Sequence, residues 1–178
     1  LIKATQLRMG LHGAEAAVRF LKEQKWPSQS SSRILLNLFY GHSLMNYYER
    51  YSWEIDQREK TIAKKEVDLK SWSTQEIDQQ IKLAFDNVMA EGEALNAPIP
   101  KIFNDFVTKN NYPDGVRPFL RDAVVYMAVQ HIANTRYWTP QQSNEVYKLD
   151  SDLLLSFKNT VRISAVDLNK HPLEKFRS

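Results

Sequence analysis

Residues 32–55 have the sequence SRILLNLFYGHSLMNYYERYSWEI, which is the longest apolar segment with helical periodicity in the chain. At 3.6 residues per turn, it places apolar side chains on two sides of one helix. One side carries Leu35, Leu38, Phe39 and Met45; the other carries Leu36, Tyr40, Leu44, Tyr47, Tyr48 and Tyr51. A helix that is apolar on two sides normally lies between neighbouring helices. We therefore expect this segment to be the central helix of the fold.

Outside residues 32–55, the sequence again favours helices over strands. Ser73 and Glu76 match a capping box, and an amphipathic helix is predicted to follow it to about residue 95. Further helices are predicted at 2–11, 14–24, 98–109, 118–135, 140–147 and 151–157. Only five glycines occur, and we find no pair of alternating segments joined by a hairpin turn. The prediction is an all-α fold of antiparallel helical hairpins, packed as a solenoid-like or orthogonal bundle of about six to eight helices.

The first 25 residues suggest two short helices folded against each other. His12 and Gly13 break the helical pattern, and Ala14, Ala17 and Leu21 then share one face. The segment resembles a helical hairpin of the tetratricopeptide type, although a second copy at a fixed period is not evident. The resemblance implies packing of helix pairs.

The domain prediction is one helical domain over residues 1–157, followed by an irregular linker over 158–178. The chain opens with Leu1 and not methionine, and residues 169–176 resemble the beginning of a helix with Pro172 near its first turn. Both ends therefore suggest a segment of a longer protein.

Composition argues against several classes of function. The net charge is +3, and the 24 basic and 21 acidic residues are well mixed, so no nucleic-acid partner is expected. Cysteine is absent, which excludes disulfides and thiolate chemistry within the chain. No apolar run approaches the roughly 20 residues that span a bilayer, so no membrane span is expected in this segment.

The sequence shows no motif that brings catalytic or metal-binding groups together. The four histidines lack the spacing of helical metal sites, and no glycine-rich phosphate loop is present. Lone histidines within long helices, such as His42 and His131, are more often packed or surface residues than ligands. Glu91 and Glu93 point in different directions on a helix and make a poor acid–base pair. We expect no cofactor, no metal and no catalytic residues.

Residues 110–118, NNYPDGVRP, concentrate turn-forming residues between two predicted helices. Two prolines and a glycine restrict this segment to few conformations, so it can fix the angle between those helices. Arg121 could bond carbonyl groups there, and Asp122 suits the first turn of the following helix. The predicted structural joint consists of Tyr112, Pro113, Gly115, Arg117, Pro118, Arg121 and Asp122.

The tryptophans lie near predicted helix ends or in connections. They are Trp26, Trp53, Trp72 and Trp138. Aromatic side chains in such positions usually lock helix pairs together, which is the interpretation we favour. Exposed tryptophans would instead anchor a partner.

The 110–118 segment also carries a family resemblance. It resembles a helical region toward the N-terminal side of large bacterial alpha-2-macroglobulin-like proteins. The likeness continues in residues 120–123 (LRDA), Trp138, residues 143–145 (SNE), Tyr147 and residues 149–150 (LD). Residues 52–55 (SWEI) and 57–59 (QRE) add to the likeness, which covers about residues 26–150.

This resemblance implies a bacterial periplasmic or envelope protein that entraps proteases. The partners would be other domains of the same large chain, and a protein partner or target protease. Trp138, Asn144, Glu145 and Tyr147 are the candidate partner contacts. The family's Cys-x-Glu-Gln thioester cannot reside here, because the chain has no cysteine.

Two further functions stay open beside a non-catalytic scaffold of that family. One is a stand-alone helical-repeat adaptor that binds a peptide or protein partner in a concave groove. The other is an enzyme whose site is completed by another domain.

Overall fold

The structure, a computed structural model, describes residues 1–58, 68–98, 113, 115–116, 118–146 and 172–173. Within these ranges every regular element is a helix, and the extended backbone contributes one isolated antiparallel bridge, between Pro98 and Phe119. The α-helices are α1 (Ile2–Glu23), α2 (Ser30–Asp56), α3 (Thr74–Met89), α4 (Leu120–Ala133) and α5 (Pro140–Glu145). The all-α prediction is confirmed. The predicted helices at 98–109 and 151–157 lie almost wholly outside the described residues.

The chain forms two compact units, Leu1–Val125 and Tyr126–Ser178. Helices α1, α2 and α3 belong to the first unit, whereas α5 belongs to the second. The domain boundary predicted at residue 157 lies outside the described residues and stays a prediction, as does the irregular linker over 158–178.

Helix α1 is interrupted at Gly13, as the sequence predicted. Gly13 has φ 86° and ψ 172°, a conformation outside the helical region. The Arg8 guanidinium lies 4.2 Å from the centroid of the Phe20 ring. Twelve residues of continuous helix would separate the two backbone positions by about 18 Å, beyond the reach of these side chains. The two halves of α1 therefore bend toward each other at Gly13.

Helix α2 is the central helix of the first unit, and it contacts both α1 and α3. Its buried apolar residues fall on both predicted sides; they are Ile34, Leu35, Leu36, Leu38, Tyr40, Leu44, Tyr47, Tyr48 and Ile55. The prediction of a sandwiched helix over residues 32–55 is confirmed, although α2 begins at Ser30, and Gln29 precedes it without a side-chain cap. Tyr51, at φ −119° and ψ 17°, departs from helical geometry and marks a kink before the last turns of α2.

Helix α3 begins at the predicted capping box. The Ser73 amide donates to Glu76 Oε2 at 2.7 Å, and the Glu76 amide donates to Ser73 Oγ at 3.4 Å. The α-helix ends at Met89, before the predicted residue 95. Gly92 has φ 52°, and a 3₁₀ helix follows over Gly92–Asn96, in which Leu95 is fully buried. The apolar face of α3 consists of Ile77, Ile81, Ala84, Phe85 and Val88.

In the second unit, a short 3₁₀ helix (Thr135–Tyr137) follows the end of α4. Two buried rings pack here: the His131 and Tyr137 centroids are 4.4 Å apart, and His131 is 1% exposed. Thr139 and Gln142 form a capping box at the start of α5, where Pro140 occupies the first turn. His131 is thus a packed residue, in accordance with the sequence interpretation.

Candidate functional site

The predicted joint forms a turn ahead of α4. Pro113, Gly115 and Pro118 are exposed, and Gly115 has φ 89°. The Val116 amide donates to the Pro113 carbonyl at 3.1 Å, which closes the turn. Tyr112 and Arg117 lie outside the described residues, so their predicted contribution to the joint stays a prediction.

Asp122 lies in the first turn of α4. Its Oδ2 accepts the Phe119 amide at 3.1 Å, so the carboxylate satisfies one of the donors that a helix leaves free at its N-terminus. Arg121 is exposed, and it donates no hydrogen bond to any other described residue. Of the two charged joint residues that the structure describes, only Asp122 has a visible structural contact.

Backbone contacts attach the joint to the segment that follows α3. The Leu120 amide donates to the Ala97 carbonyl at 3.3 Å, next to the bridge between Pro98 and Phe119. Leu120 is buried at the same point. The start of α4 is therefore held against residues 97–98, and the predicted role of the joint in fixing the angle between two helices stays a prediction.

The candidate partner contacts are only partly available at the surface. The Trp138 indole donates to the Ile132 carbonyl at 2.9 Å, so this side chain closes the end of α4. Asn144 is exposed, and Glu145 accepts from Gln141 at 3.4 Å within α5. Tyr147 lies outside the described residues. The structure thus gives Trp138 an internal contact and leaves Asn144 open to solvent.

A charged pair joins the start of α2 to the turn after α3. Arg33 Nε and Nη2 lie 2.6 and 2.7 Å from the two Glu91 carboxylate oxygens, and Arg33 also donates to the Ser28 carbonyl. The hydrogen bonds from Arg33 hold the pKa of the Glu91 carboxyl below its usual value, and the same contact raises the pKa of the Arg33 guanidinium. This bidentate pair ties together residues 58 positions apart.

Two more polar contacts follow along the same interface. The Asn87 amide donates to Asn37 Oδ1 at 3.5 Å, and the Tyr40 hydroxyl donates to Gln80 Oε1 at 3.1 Å. Next to Tyr40, Gly41 brings α2 so close to α3 that an added Cβ would lie 3.5 Å from Ala84 Cβ. Residue numbers on α3 fall as those on α2 rise, so the two helices lie antiparallel.

Tyr40 also faces a cation from the end of α1. The Lys22 ammonium lies 4.5 Å from the centroid of the Tyr40 ring. Burial raises the pKa of the Tyr40 phenol and lowers the pKa of the Lys22 amine, because it disfavours both charged forms.

At the other end of the α2–α3 interface, side-chain hydrogen bonds hold the two ends of the segment that connects these helices. Arg58 Nη1 donates to the carbonyls of Leu69 and Trp72 at 2.8 and 3.1 Å, and the Tyr47 hydroxyl also donates to Leu69 at 3.2 Å. Asp56 Oδ1 accepts from the hydroxyls of Tyr48 and Thr74 at 3.0 and 2.7 Å. These contacts anchor the chain where it leaves α2 and where it enters α3.

Three of the four tryptophans are hydrogen-bonded or buried, and the fourth is exposed. The Trp26 indole donates to the Leu21 carbonyl at 2.8 Å, Trp138 makes the equivalent contact in α4, and Trp72 is buried. Trp53 is 78% exposed, near the end of α2. The prediction that all four serve packing is therefore wrong for Trp53, because this residue lies on the side of α2 where Glu49 and Arg50 are also exposed.

Among the described residues, no group of three or more His, Asp or Glu side chains could hold a metal ion. No helix in the described part of the chain combines the length and apolar character needed to cross a bilayer. No protein-family model, no curated protein and no solved structure matches the chain.

Proposed function

We propose that this chain is a non-catalytic helical scaffold or docking segment of a larger bacterial envelope protein of the alpha-2-macroglobulin-like, protease-trapping type. Its partners would be other domains of the same protein and a target protease, and its location the periplasm or cell envelope. The family assignment comes from residues 110–118 and the residues that follow them.

One observation carries the scaffold role. The polar side chains between α2 and α3 pair with one another across the interface, from Arg33 with Glu91 at one end to Asp56 with Thr74 at the other. Groups used in this way fix the relative position of two helices. Such rigidity is what a scaffold needs, whereas an active site needs groups directed at a substrate.

The finer architecture that we propose is a stack of antiparallel helix pairs. The antiparallel contacts of α2 and α3 support one pair, and the bend at Gly13, with Arg8 on Phe20, supports a second within α1. Successive pairs of this kind build the concave surface of helical-repeat proteins. The same bend therefore also favours the second candidate function, a stand-alone adaptor that binds a peptide or protein partner.

The sequence of the complete gene separates the two candidates. The scaffold proposal expects β-sandwich repeats after this segment, with or without a Cys-x-Glu-Gln motif. A gene that ends soon after residue 178, or that encodes only further helical pairs, would favour the adaptor.

A trapping assay tests the activity of the full-length protein. Entrapment encloses the protease, so cleavage of a large protein substrate should fall while cleavage of a small peptide substrate continues. Equal loss of both activities, or no loss of either, would contradict protease trapping.

A further inference from the structure

Trp53 is the most exposed large apolar side chain in the described part of the chain. Its exposed fraction of 78% contrasts with the held indoles of Trp26 and Trp138 and with buried Trp72. An exposed tryptophan leaves a large apolar surface in water, and tryptophan is the residue most enriched among the energetic centres of protein interfaces. The side chain is therefore placed to bind rather than to support the core.

A carboxylate lies one turn beyond Trp53 and is already held in position. Asp56 is three residues further along the helix, so it shares the side of α2 on which Trp53 lies. Its Oδ1 accepts two hydroxyls, from Tyr48 and Thr74, whereas its Oδ2 has no partner among the described residues. Asp56 thus presents, among the described residues, one oriented carboxylate oxygen at an exposed position.

The surroundings favour a cationic ligand. The helix dipole makes the C-terminal end of α2 negative, and basic residues are favoured at such an end. The last turn of α2 nevertheless contains Glu54 and Asp56 and no basic residue. Two guanidinium groups are nearby, and the described contacts direct both away from these carboxylates. Arg50 lies over the Tyr51 ring at 5.7 Å, and Arg58 donates to the carbonyls of Leu69 and Trp72. Within the described residues, neither guanidinium forms an ion pair with Glu54 or Asp56.

We propose that Trp53 and Asp56, with Glu54 beside them, form a docking site for an arginine side chain on a basic segment of a protein partner. The guanidinium stacks on the indole face and pairs with Asp56 Oδ2. Arginine suits the site better than lysine, since its planar group stacks on an aromatic ring and binds a carboxylate at the same time. Because Tyr48 and Thr74 already orient the carboxylate, binding orders few side chains.

This proposal rests on the docking role proposed above, because it assigns the chemistry of one partner. It is tested by titrating the intact chain with a hexa-arginine peptide and with a matched hexa-lysine peptide. Calorimetry gives the affinities, and ¹H–¹⁵N spectra follow the four indole N–H signals. We expect tighter binding of hexa-arginine and a shift confined to the signal that Trp53→Phe identifies as that of Trp53.

Four variants test the residues. We expect Trp53→Ala to weaken hexa-arginine binding about tenfold or more, the scale of a well-placed cation–π contact. Asp56→Asn should weaken it comparably, since it removes the charge and keeps an acceptor for Tyr48 and Thr74. The matched controls are Leu11→Ala and Asp86→Asn, an exposed apolar residue and an exposed acid elsewhere, which should leave the affinity unchanged. Thermal melts establish that each variant is folded.

Three results would overturn the proposal. They are no measurable binding, equal affinity for the two peptides, and unchanged affinity in Trp53→Ala. Failure of the peptide titration leaves the gene sequence and the trapping assay untouched, so the scaffold role stands or falls separately. If those fail while Trp53 still binds hexa-arginine, the site would belong to an adaptor instead.

Discussion

Gly13 adopts a backbone conformation, φ 86° and ψ 172°, that is almost restricted to glycine. A Cβ at this position would meet no atom within 4 Å, so the restriction comes from the backbone alone. The bend that brings Arg8 to Phe20 therefore depends on one residue type. Gly10, three residues earlier, is helical and equally unobstructed, which makes it a matched control.

We predict that Gly13→Ala lowers the free energy of unfolding by about 1–3 kcal/mol, the cost of holding an alanine in that region. Gly10→Ala should instead raise it, by about 0.5–1 kcal/mol, because alanine loses less entropy in a helix. Urea denaturation of both variants measures the difference. Equal effects at the two positions would show that the bend does not require glycine.

Asp122 is the joint residue with the most direct structural contact. Its carboxylate accepts the Phe119 amide at the first turn of α4. We predict that Asp122→Ala destabilises the protein by about 1 kcal/mol, as for the loss of a helix cap, and that Asp122→Asn costs less because it keeps an acceptor. Chemical denaturation is the measurement. A variant of unchanged stability that had lost a specific binding or inhibitory activity would make the joint a functional site.

At the scale of the helices, the two ends of α2 are fixed by different chemistry. One end is held by the Arg33–Glu91 ion pair, and the other by hydroxyl and carbonyl contacts around Asp56 and Leu69. The ion pair depends on Glu91, a carboxyl whose pKa is lowered in the folded state by the hydrogen bonds from Arg33. The contribution of the ion pair to stability should therefore vary with pH.

We predict that the stability difference between the unaltered protein and Glu91→Gln is largest at neutral pH. Glu91 has a lower pKa folded than unfolded, so its stabilisation is complete above the unfolded value, about 4.5, and is lost as the pH falls through the folded value. Urea denaturation at pH 7 and pH 3 measures this difference. A difference that is the same at both pH values would show that the pairing adds nothing.

The sequence predicted those elements whose signals are local. The capping box of Ser73 and Glu76, the break at Gly13 and the two apolar sides of α2 each depend on residues within a few turns. The end of α3 was predicted too late, because the apolar pattern continues to Leu95 while the α-helix ends at Met89 and a 3₁₀ helix from Gly92 carries Leu95.

The contacts of the candidate site could not be predicted in the same way, because they join residues that are far apart in the sequence. Arg33 and Glu91 are opposite charges at matching ends of antiparallel helices, a signal that has meaning only once the pairing of α2 with α3 is known. Trp53 follows Asn46, Glu49 and Arg50 on the exposed, polar side of α2, a pattern that the interpretation of all four tryptophans as packing residues overlooked. Of the predicted joint, the structure shows the turn and the Asp122 contact.

For the whole molecule, the proposed scaffold role implies a fold that is independent of metal ions. The described residues contain no cluster of ligands for one. We predict that excess EDTA leaves the melting temperature of the chain unchanged, and that elemental analysis finds no stoichiometric metal. A lower melting temperature in EDTA, restored by zinc, would mean that histidines converge with ligands beyond the described residues.

The two indoles bonded to helix-end carbonyls have a spectroscopic consequence. Trp26 lies in the first unit, and its indole N–H donates to the Leu21 carbonyl of α1. Trp138 lies in the second unit, and its indole N–H donates to the Ile132 carbonyl of α4. If the other three tryptophans are replaced by phenylalanine, the remaining indole emits from one unit alone. Its emission moves to longer wavelength when that unit unfolds and water reaches the ring. Two such single-tryptophan proteins, titrated with urea, would report whether the units melt together or in sequence.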